Sequence, residues 1–534
     1  MARLHEHHGK SLLARAGVAI PKGHVARTPA EAAHAARDIG GRVVLKIQAW
    51  TTGRAAMGGV AFADTPDAAE AAARKLLGMK VGAFPVEQVL VEEAVKIRDE
   101  LFVSITIDDA ARAPVMLLSL EGGSGIEERG ADVHRLPMDV RAGLDSAALR
   151  RLLAESKIDK SMHEKLADAI ERIAKLAKQV EARSLEVNPL VTTEDGRVIA
   201  ADCRIAIDDY AVFRHPDLGI DIARELDHPP TDLERTAYRI EQADHRGTFY
   251  FAQLPVPDDA HDRAVGFHGA GGGGSMMSMD AVGRAGFAPA NFTDTSGNPS
   301  AAKVYAAARI ILAQPGIVGY FGSGSGVASQ EQYHSAYGLA KAFLELGLDI
   351  PAVVRLGGNS EDRAVEILED ACRGLKASVK GFKKDDPPEK CAEAFAQLVK
   401  QNGAKAWKPR ERRVPAFVGD TDADSFAIRF GGDWGGSVWI DVERCTPEIT
   451  DLVVKHSGGV LKKDEQGFPT LAISKEEAAS RDSEMIACEI ECIRAGHPVV
   501  FVDLPITGLD SEASHGIAAA IEGGAATVNP EGHG

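Results

Sequence analysis

The chain has 534 residues, 45% hydrophobic and 26% charged, too long for one domain and apolar enough to bury several cores. Its 61 Lys and Arg face 78 Asp and Glu, a formal charge of −17 that argues against nucleic acid or an anionic membrane as a bulk partner but allows local phosphate sites. With no apolar signal core and no apolar run long enough to span a bilayer, a cytoplasmic protein is expected.

The six cysteines, Cys203, Cys372, Cys391, Cys445, Cys488 and Cys492, follow no CxxC or zinc spacing and read as reduced, mostly buried thiols.

Residues 2–17 form a helix by the spacing of Leu4, Leu12, Leu13 and Ala16, closed by Gly17. Its clustered His5, His7 and His8 are read as structural rather than metal-binding. After a helix over 30–39, the strand RVVLKIQ at 42–48 places Lys46 among Val, Leu and Ile. An ammonium there is costly unless it meets an anion, which makes it a phosphate-contact candidate. In the loop TTGRAAMGGV at 51–60, glycines including Gly53 let backbone N–H groups approach phosphate oxygens, and Arg54 adds charge-assisted bonds.

Residues 66–80 are helical and 88–94 are a strand, with a further strand starting at Glu100. By position alone, Glu92 and Glu100 are solvated strand-end carboxylates. Residues 146–182 are helical and charged. The stretch 184–202, SLEVNPLVTTEDGRVIAAD, reads as a strand, a bend at Pro189, a turn at Glu194-Asp195-Gly196 and a second strand. Glu186 and Asn188 then share one side of a hairpin opposite Asp202. Such oxygens suit magnesium, which keeps several waters and is shared with nucleotide phosphates; an ordinary polar hairpin is the alternative.

LEVNPL followed by a turn and a strand ending in Asp202 resembles the magnesium-binding hairpin of the ATP-grasp domain in the β subunit of succinyl-CoA synthetase and its acyl-CoA ligase relatives. Leu4, His5, Glu6 and Lys10 match the family's opening LHE…K helix. Gly53, Arg54, Gly58, Gly59 and Val60 match its GGRGKAGGV loop, with the second basic residue lost at Ala56. Glu92 and Glu100 follow its VEAA…KELY pattern, and Glu121-Gly122-Gly123 with Ile126-Glu127 its EGGxxIE segment, with Gly125 in place of a glutamate. The resemblance implies ATP and Mg2+ between two lobes of residues 1–210. Lys46 and Arg54 would lie on phosphates, Glu92 by the base and ribose, Glu100 near the nucleotide, and Asn188 and Asp202 on the metal. Glu186 would orient a phosphohistidine.

A second domain follows the charged, Pro-rich stretch around 215–245. A strand over 264–267, the loop HGAGGGG at 268–274 and the helix-like SMMSMDAVGRAG read either as a general anion site, because helix N–H groups and dipole face the loop, or as a tight structural turn. PANFTDTSG, a helix over 299–313, GIVGYFGSGSG and AVVRLGGN then alternate strand and helix as a parallel sheet requires. Residues 260–400 resemble the flavodoxin-like second domain of the same β subunits, with its NGAG, PANFLDVGGG, NIFGG and VVRLEGN segments.

The departures lie where that family handles carboxylate and phosphate. Gly322, Ser323, Gly324 and Ser325, and Thr295, Ser296, Gly297 and Asn298, bring hydroxyls to glycine loops that, with Gly269 and Gly271, are the candidate substrate and phosphate loops. A substrate with a further hydroxyl or acidic group than succinate is expected. His268 replaces the family's usual Asn, either as another hydrogen-bonding side chain or as a catalytic, phosphorylated histidine. The family's own phosphohistidine lies in a GHAGA segment of the α subunit.

The expected fold is α/β: an ATP-grasp domain over 1–240, a flavodoxin-like domain over 241–403, a basic linker over 404–414 and a small C-terminal α/β unit over 415–534. That last unit, with SVWIDVE, a helix over 476–494 and the strand PVVFVDLPI, lies outside the resemblance and is read as a docking or oligomer-contact module. Its Gly431–Gly436 run and Trp439 carry no assignment. The implied activity joins a carboxylate to CoA with ATP, through phosphohistidine and acyl phosphate. Lacking a CoA-binding Rossmann segment and GHAGA, the chain needs an α-type partner carrying both. Two alternatives are an ATP-grasp carboxylate–amine ligase and a non-catalytic nucleotide-binding subunit.

Overall fold

The structure, a computed structural model, describes residues 1–410 except Thr52, Ala83, 121–132, Asp227, 244–247 and 325–327, and beyond them 427–430, 437–440, 460–463, 469–472, 482–495 and 499–502. The EGGxxIE segment, Ser325, Cys445 and the Gly431–Gly436 run therefore lie outside the described residues. The chain divides into two compact units, Met1–Pro230 and Thr231–Gly534.

The first unit is built on two main antiparallel sheets, beside a two-stranded ribbon of Lys80–Val81 and Phe84–Pro85. In the smaller, β1 (Val43–Ile47) and β2 (Val89–Glu93) pair in the middle, flanked by Val60–Ala63 and Gly23–Ala26. Their inward Val43, Leu45, Ile47, Val89 and Val91 are buried against Ala-rich helices capped by Thr28 and Thr65. In the larger sheet the long strands β3 (Ile97–Asp108) and β4 (Ala182–Thr193) are central, and β5 (Arg204–Ile207) pairs with β4. Helix α1 (Glu6–Arg15) is shorter than the expected 2–17, because Ala2–Arg3 joins this sheet as an edge strand on β5.

The hairpin differs from expectation at Pro189. β4 runs through it, absorbing it in an irregularity of register between Val187 and Leu190, and then turns at Gly196 (φ +79°) into the strand Val198–Ala200.

The second unit is built on a mostly parallel sheet: β6 (Ala264–Ala270), β7 (Asn291–Asp294), β8 (Gly319–Gly324), β9 (Ala352–Arg355) and β10 (Val379–Phe382), in the order β7-β6-β8-β9-β10, with Tyr250–Gln253 antiparallel at the β7 edge. Helices α3 (Ala301–Ile311), α4 (Tyr333–Leu346) and α5 (Glu361–Cys372) share one core on one face; α2 (Gly272–Arg284) and α6 (Pro388–Gln401) share another. Helices on both faces explain the near-continuous apolar strands. α2 starts at Gly272, so the glycine loop is shorter than expected and three of its glycines form the first helical turn.

Two expectations on boundaries change. The units meet at Pro230 rather than 240, because Asp232–Ala243 packs against Tyr250–Gln253 and α3. The segment after 403 is a strap rather than a free linker. Trp407 is buried, its indole N–H donating to Leu312 O at 2.6 Å, and Lys405 and Arg410 both pair with Asp349. In the C-terminal part, among the described residues, five short strands form one sheet and α7 (Asp482–Arg494) packs on α3, α4 and α5. Among the described residues no helix is long and apolar enough to cross a membrane.

Candidate active site

A ladder of alternating charges lies in the first unit. From α1, Lys10 Nζ sits 2.8 Å from Glu6 and 2.6 Å from Glu92, and donates to Ala201 O at 2.8 Å. From β1, Lys46 Nζ lies 2.9 Å from Glu6 and 3.0 Å from Glu92, and donates to the same carbonyl at 2.7 Å. Arg54 donates to Glu6 at 2.7 Å and to Asp202 at 2.6 Å. Side-chain exposure rises along this ladder from 2% at Lys10 to 14% at Lys46 and 33% at Asp202, so it is sealed at one end and opens at the other. Beside the open end lies a cavity of about 260 Å³ lined by Arg54, Arg204, Arg3, Trp50 and Ser184.

Burial by itself would raise the Glu6 carboxyl; the charges of Lys46, Lys10 and Arg54 outweigh it and hold the group well below the ordinary carboxylate value. Burial likewise opposes the charges of Lys46 and Arg54, yet Glu6, Glu92 and Asp202 raise the first and Asp202 and Glu6 the second. Lys46 thus meets the anion that its buried setting calls for within the protein. Glu92 is an internal counter-ion only 1% exposed, so a solvated strand end does not describe its place. Glu100 lies in register with Val191 on β3 and takes no part in the ladder.

Asn188 Oδ1 is buried and accepts no hydrogen bond. Such an orphan costs about 1–3 kcal/mol, and a carbonyl oxygen is a hard donor. Ala201 N donates to Pro189 O at 3.0 Å, which brings Asp202 alongside. One Asp202 oxygen accepts from Cys203 N at 2.7 Å and the other from Arg54. An unpaired amide oxygen and a carboxylate fit a magnesium ion that takes its other ligands from phosphate and water. Glu186 lies on β4 in register with Arg204 and Ser104. His5 stacks on His7, the His8 and Trp50 rings lie tilted against this pair, and His7 bonds Gln48 at 3.1 Å. Among the described residues no group of three or more His, Cys, Asp or Glu is placed to hold a metal.

A second polar site lies at the carboxyl ends of β6, β8 and β9, where parallel sheets present ligands. A cavity of about 20 Å³, room for one water-sized group, is lined there by His268, Thr295, Ser323, Gln332, Ser335 and Arg355. Ser323 Oγ lies 2.7 Å from Ser278 Oγ, and Asp294 Oδ1 accepts from Gly271 N and Ser296 N, both at 2.9 Å. Ser296 adopts φ +68°, a conformation that favours the glycine it replaces. Gly322, Gly324 and Gly269 belong to paired strands, whereas Gly297 lies in the loop before α3. Arg355 bonds the carbonyls of Gly324, Lys384 and Asp386 and forms no ion pair among the described residues.

His268 is enclosed: Nδ1 lies 2.5 Å from Tyr320 Oη and Nε2 3.1 Å from Thr295 Oγ1. With both ring nitrogens engaged, the geometry gives it a hydrogen-bonding role rather than a phosphoryl-accepting one. Burial pushes its pKa down to about 4 from an ordinary 6.5. Between those values the unfolded chain binds a proton that the folded one excludes, so stability is lost as pH falls from 6.5 towards 4, by up to about 3 kcal/mol. Urea midpoints across that window are expected to fall more steeply for the native chain than for His268→Asn; equal slopes contradict this.

Gln332, Ser335 and Arg355 escaped the sequence reading, and Glu6 and Lys10 entered it only as matches to the opening helix, without a place in the site. Arg355 carried a usable signal, a cation ending an apolar strand, the same pattern that marked Lys46.

The ATP-grasp domain family matches residues 3–192. Sheets and charge ladder together define an ATP-grasp protein that carries a second, parallel-sheet domain. The β subunit of GDP-forming succinate–CoA ligase from Thermus thermophilus is 36% identical over 371 residues, covering 68% of this chain and 93% of that protein. The ADP-forming counterpart from Rubrobacter xylanophilus is 32% identical over 372 residues, covering 69% and 92%. The chain belongs to the succinate–CoA ligase β-subunit family. Among solved structures, ATP citrate lyase from Methanothrix soehngenii, in complex with citrate and coenzyme A, has a TM-score of 0.57 and 16% identity over 74% of this chain and 99% of that one, a likeness of fold.

Proposed function

We propose that this chain is the nucleotide-binding subunit of an ADP-forming ligase that joins a di- or hydroxycarboxylate to CoA. Family membership makes it a subunit of a carboxylate–CoA ligase. The observation that carries the nucleotide half is the meeting of Lys46, Arg54 and Asp202 at the open end of the charge ladder, with the unpaired Asn188 oxygen next to Pro189, whose carbonyl accepts from the Ala201 N–H beside Asp202. Phosphoryl transfer asks mainly for positioning and charge neutralisation. Lys46 and Arg54 would exchange carboxylate partners for phosphate oxygens, while Asn188 and Asp202 hold magnesium, which neutralises phosphate charge. Glu186 would orient the incoming imidazole.

In this reading a histidine of an α-type partner takes the γ-phosphoryl group of ATP, releasing ADP, and passes it to the carboxylate. The CoA thiol then displaces phosphate from the acyl phosphate, and the thioester leaves with phosphate as the second product. A cytoplasmic enzyme is part of the proposal, supported by free, buried thiols.

The substrate carboxylate would lie at the carboxyl ends of β6, β8 and β9, supported by Arg355, which forms no ion pair among the described residues, and by the hydroxyls around it. Losing one such cation is expected to raise the carboxylate KM of the co-purified complex about 10- to 100-fold in Arg355→Gln, with the ATP KM within about twofold. Rates with succinate, L-malate and citrate test this; an unchanged carboxylate KM removes the site from that end of the sheet.

A further inference from the structure

We propose that α7, in the C-terminal extension, is a positioning element of the ligase site: it fixes the helices whose amino-terminal ends frame the carboxylate pocket. The inference rests on the reading of that pocket given above.

The sequences of α3, AAKVYAAARII, and α4, YHSAYGLAKAFLEL, are apolar on nearly every side. A helix of that kind needs cover all round. One side meets the sheet through Tyr320, Ala352 and Val354; the other meets α7, whose Ile486 and Ile490 are fully buried in the same cluster. α3 and α4 also touch closely, since a side chain at Gly338 would run into the Ala301 carbonyl.

The polar contacts of α7 specify more than cover. Lys341 of α4 lies 2.8 Å from Glu345 of its own helix and 2.6 Å from Glu489 of α7, all three at most 2% exposed. A buried charge shared across an interface is sensitive to register, because displacement leaves it under-compensated in a low-dielectric setting. Tyr337 Oη donates to Glu491 at 2.6 Å, and Arg494 reaches Glu366 and Asp370 on α5 at 2.8 and 3.2 Å. Ser483 Oγ accepts from Ala301 N at 3.1 Å, one of the amides at the start of α3 that have no intrahelical acceptor.

These contacts sit directly behind the pocket. Ala301 opens the helix that follows the Thr295–Asn298 loop. On α4, Ser335 and Leu339 line the cavity while Tyr337 and Lys341 face α7. Two residues along a helix turn the side chain by about 200°, so pocket and extension grip opposite sides of one rod. A shift of α7 would therefore move Ser335 and Thr295 relative to Arg355.

The test uses the co-purified complex with Ser483→Ala and, separately, Glu489→Gln, which keeps Glu345 beside Lys341. Thioester formation is measured with succinate and L-malate, with melting curves to establish folding. The carboxylate KM is expected to rise about 5- to 20-fold, with the ATP KM within about twofold. An unchanged carboxylate KM in both variants, while Arg355→Gln still raises it, would make α7 a cover only and overturn the inference. Parallel losses in the ATP and carboxylate parameters would overturn it as well, by showing a general loss of folded enzyme. If Arg355→Gln has no effect either, the pocket itself is misplaced and the inference falls with it.

Discussion

Lys46→Met is expected to lower phosphoryl transfer from ATP by about 10²- to 10³-fold, the usual loss when one preorganised donor to a transferring group is removed. Lys46 is the ladder's intermediate rung, 14% exposed and tied to Glu6 and Glu92 at 2.9 and 3.0 Å. Methionine keeps most of its apolar length, and Lys10 continues to compensate both carboxylates, so folding should be retained. Single-turnover rates at saturating ATP, set beside urea midpoints, check this. A variant with full transfer rate would show that phosphates do not reach this end of β1.

Lys10→Met should do the opposite: destabilise the folded chain by about 3 kcal/mol or more, as expected when a buried carboxylate pair loses an ammonium. Lys10, Glu6 and Glu92 are each at most 3% exposed on their side chains, and the ammonium has four oxygen partners there: one of Glu6, both of Glu92 and the Ala201 carbonyl. Any loss of rate should be recovered where the variant is folded. Urea unfolding of the full chain measures it, and a change below about 1 kcal/mol would show that Lys46 alone neutralises the pair. Together the two lysines divide the ladder into a sealed end that holds the sheets together and an open end that meets ligand.

Local pattern made Lys46 legible, because an ammonium flanked by Val, Leu and Ile demands explanation within its own strand. Lys10 was legible only as a member of the opening helix; the second carboxylate that gives it its place, Glu92, is 82 residues away. Trp407 misled for the same reason. Its Pro and basic neighbours spell a linker, while its acceptor, Leu312 O, lies 95 residues earlier. The order of strands and glycine loops was readable because each element carries its own period and turn residues, and the family resemblance then supplied their assembly. Nothing comparable covered the extension: the apolar sides of α3 and α4 announced that something must cover them, but Ser483 and Glu489 lie 182 and 148 residues from the groups they bind.

The central claim is that this chain presents ATP to a histidine on another chain. γ-Labelled ATP and magnesium, added to the co-purified complex and followed by separation of its chains by size, test that claim most directly. Acid-labile label on the partner chain is the predicted result. Label on this chain that disappears in His268→Asn, or bound ATP with no label on either chain, would contradict it.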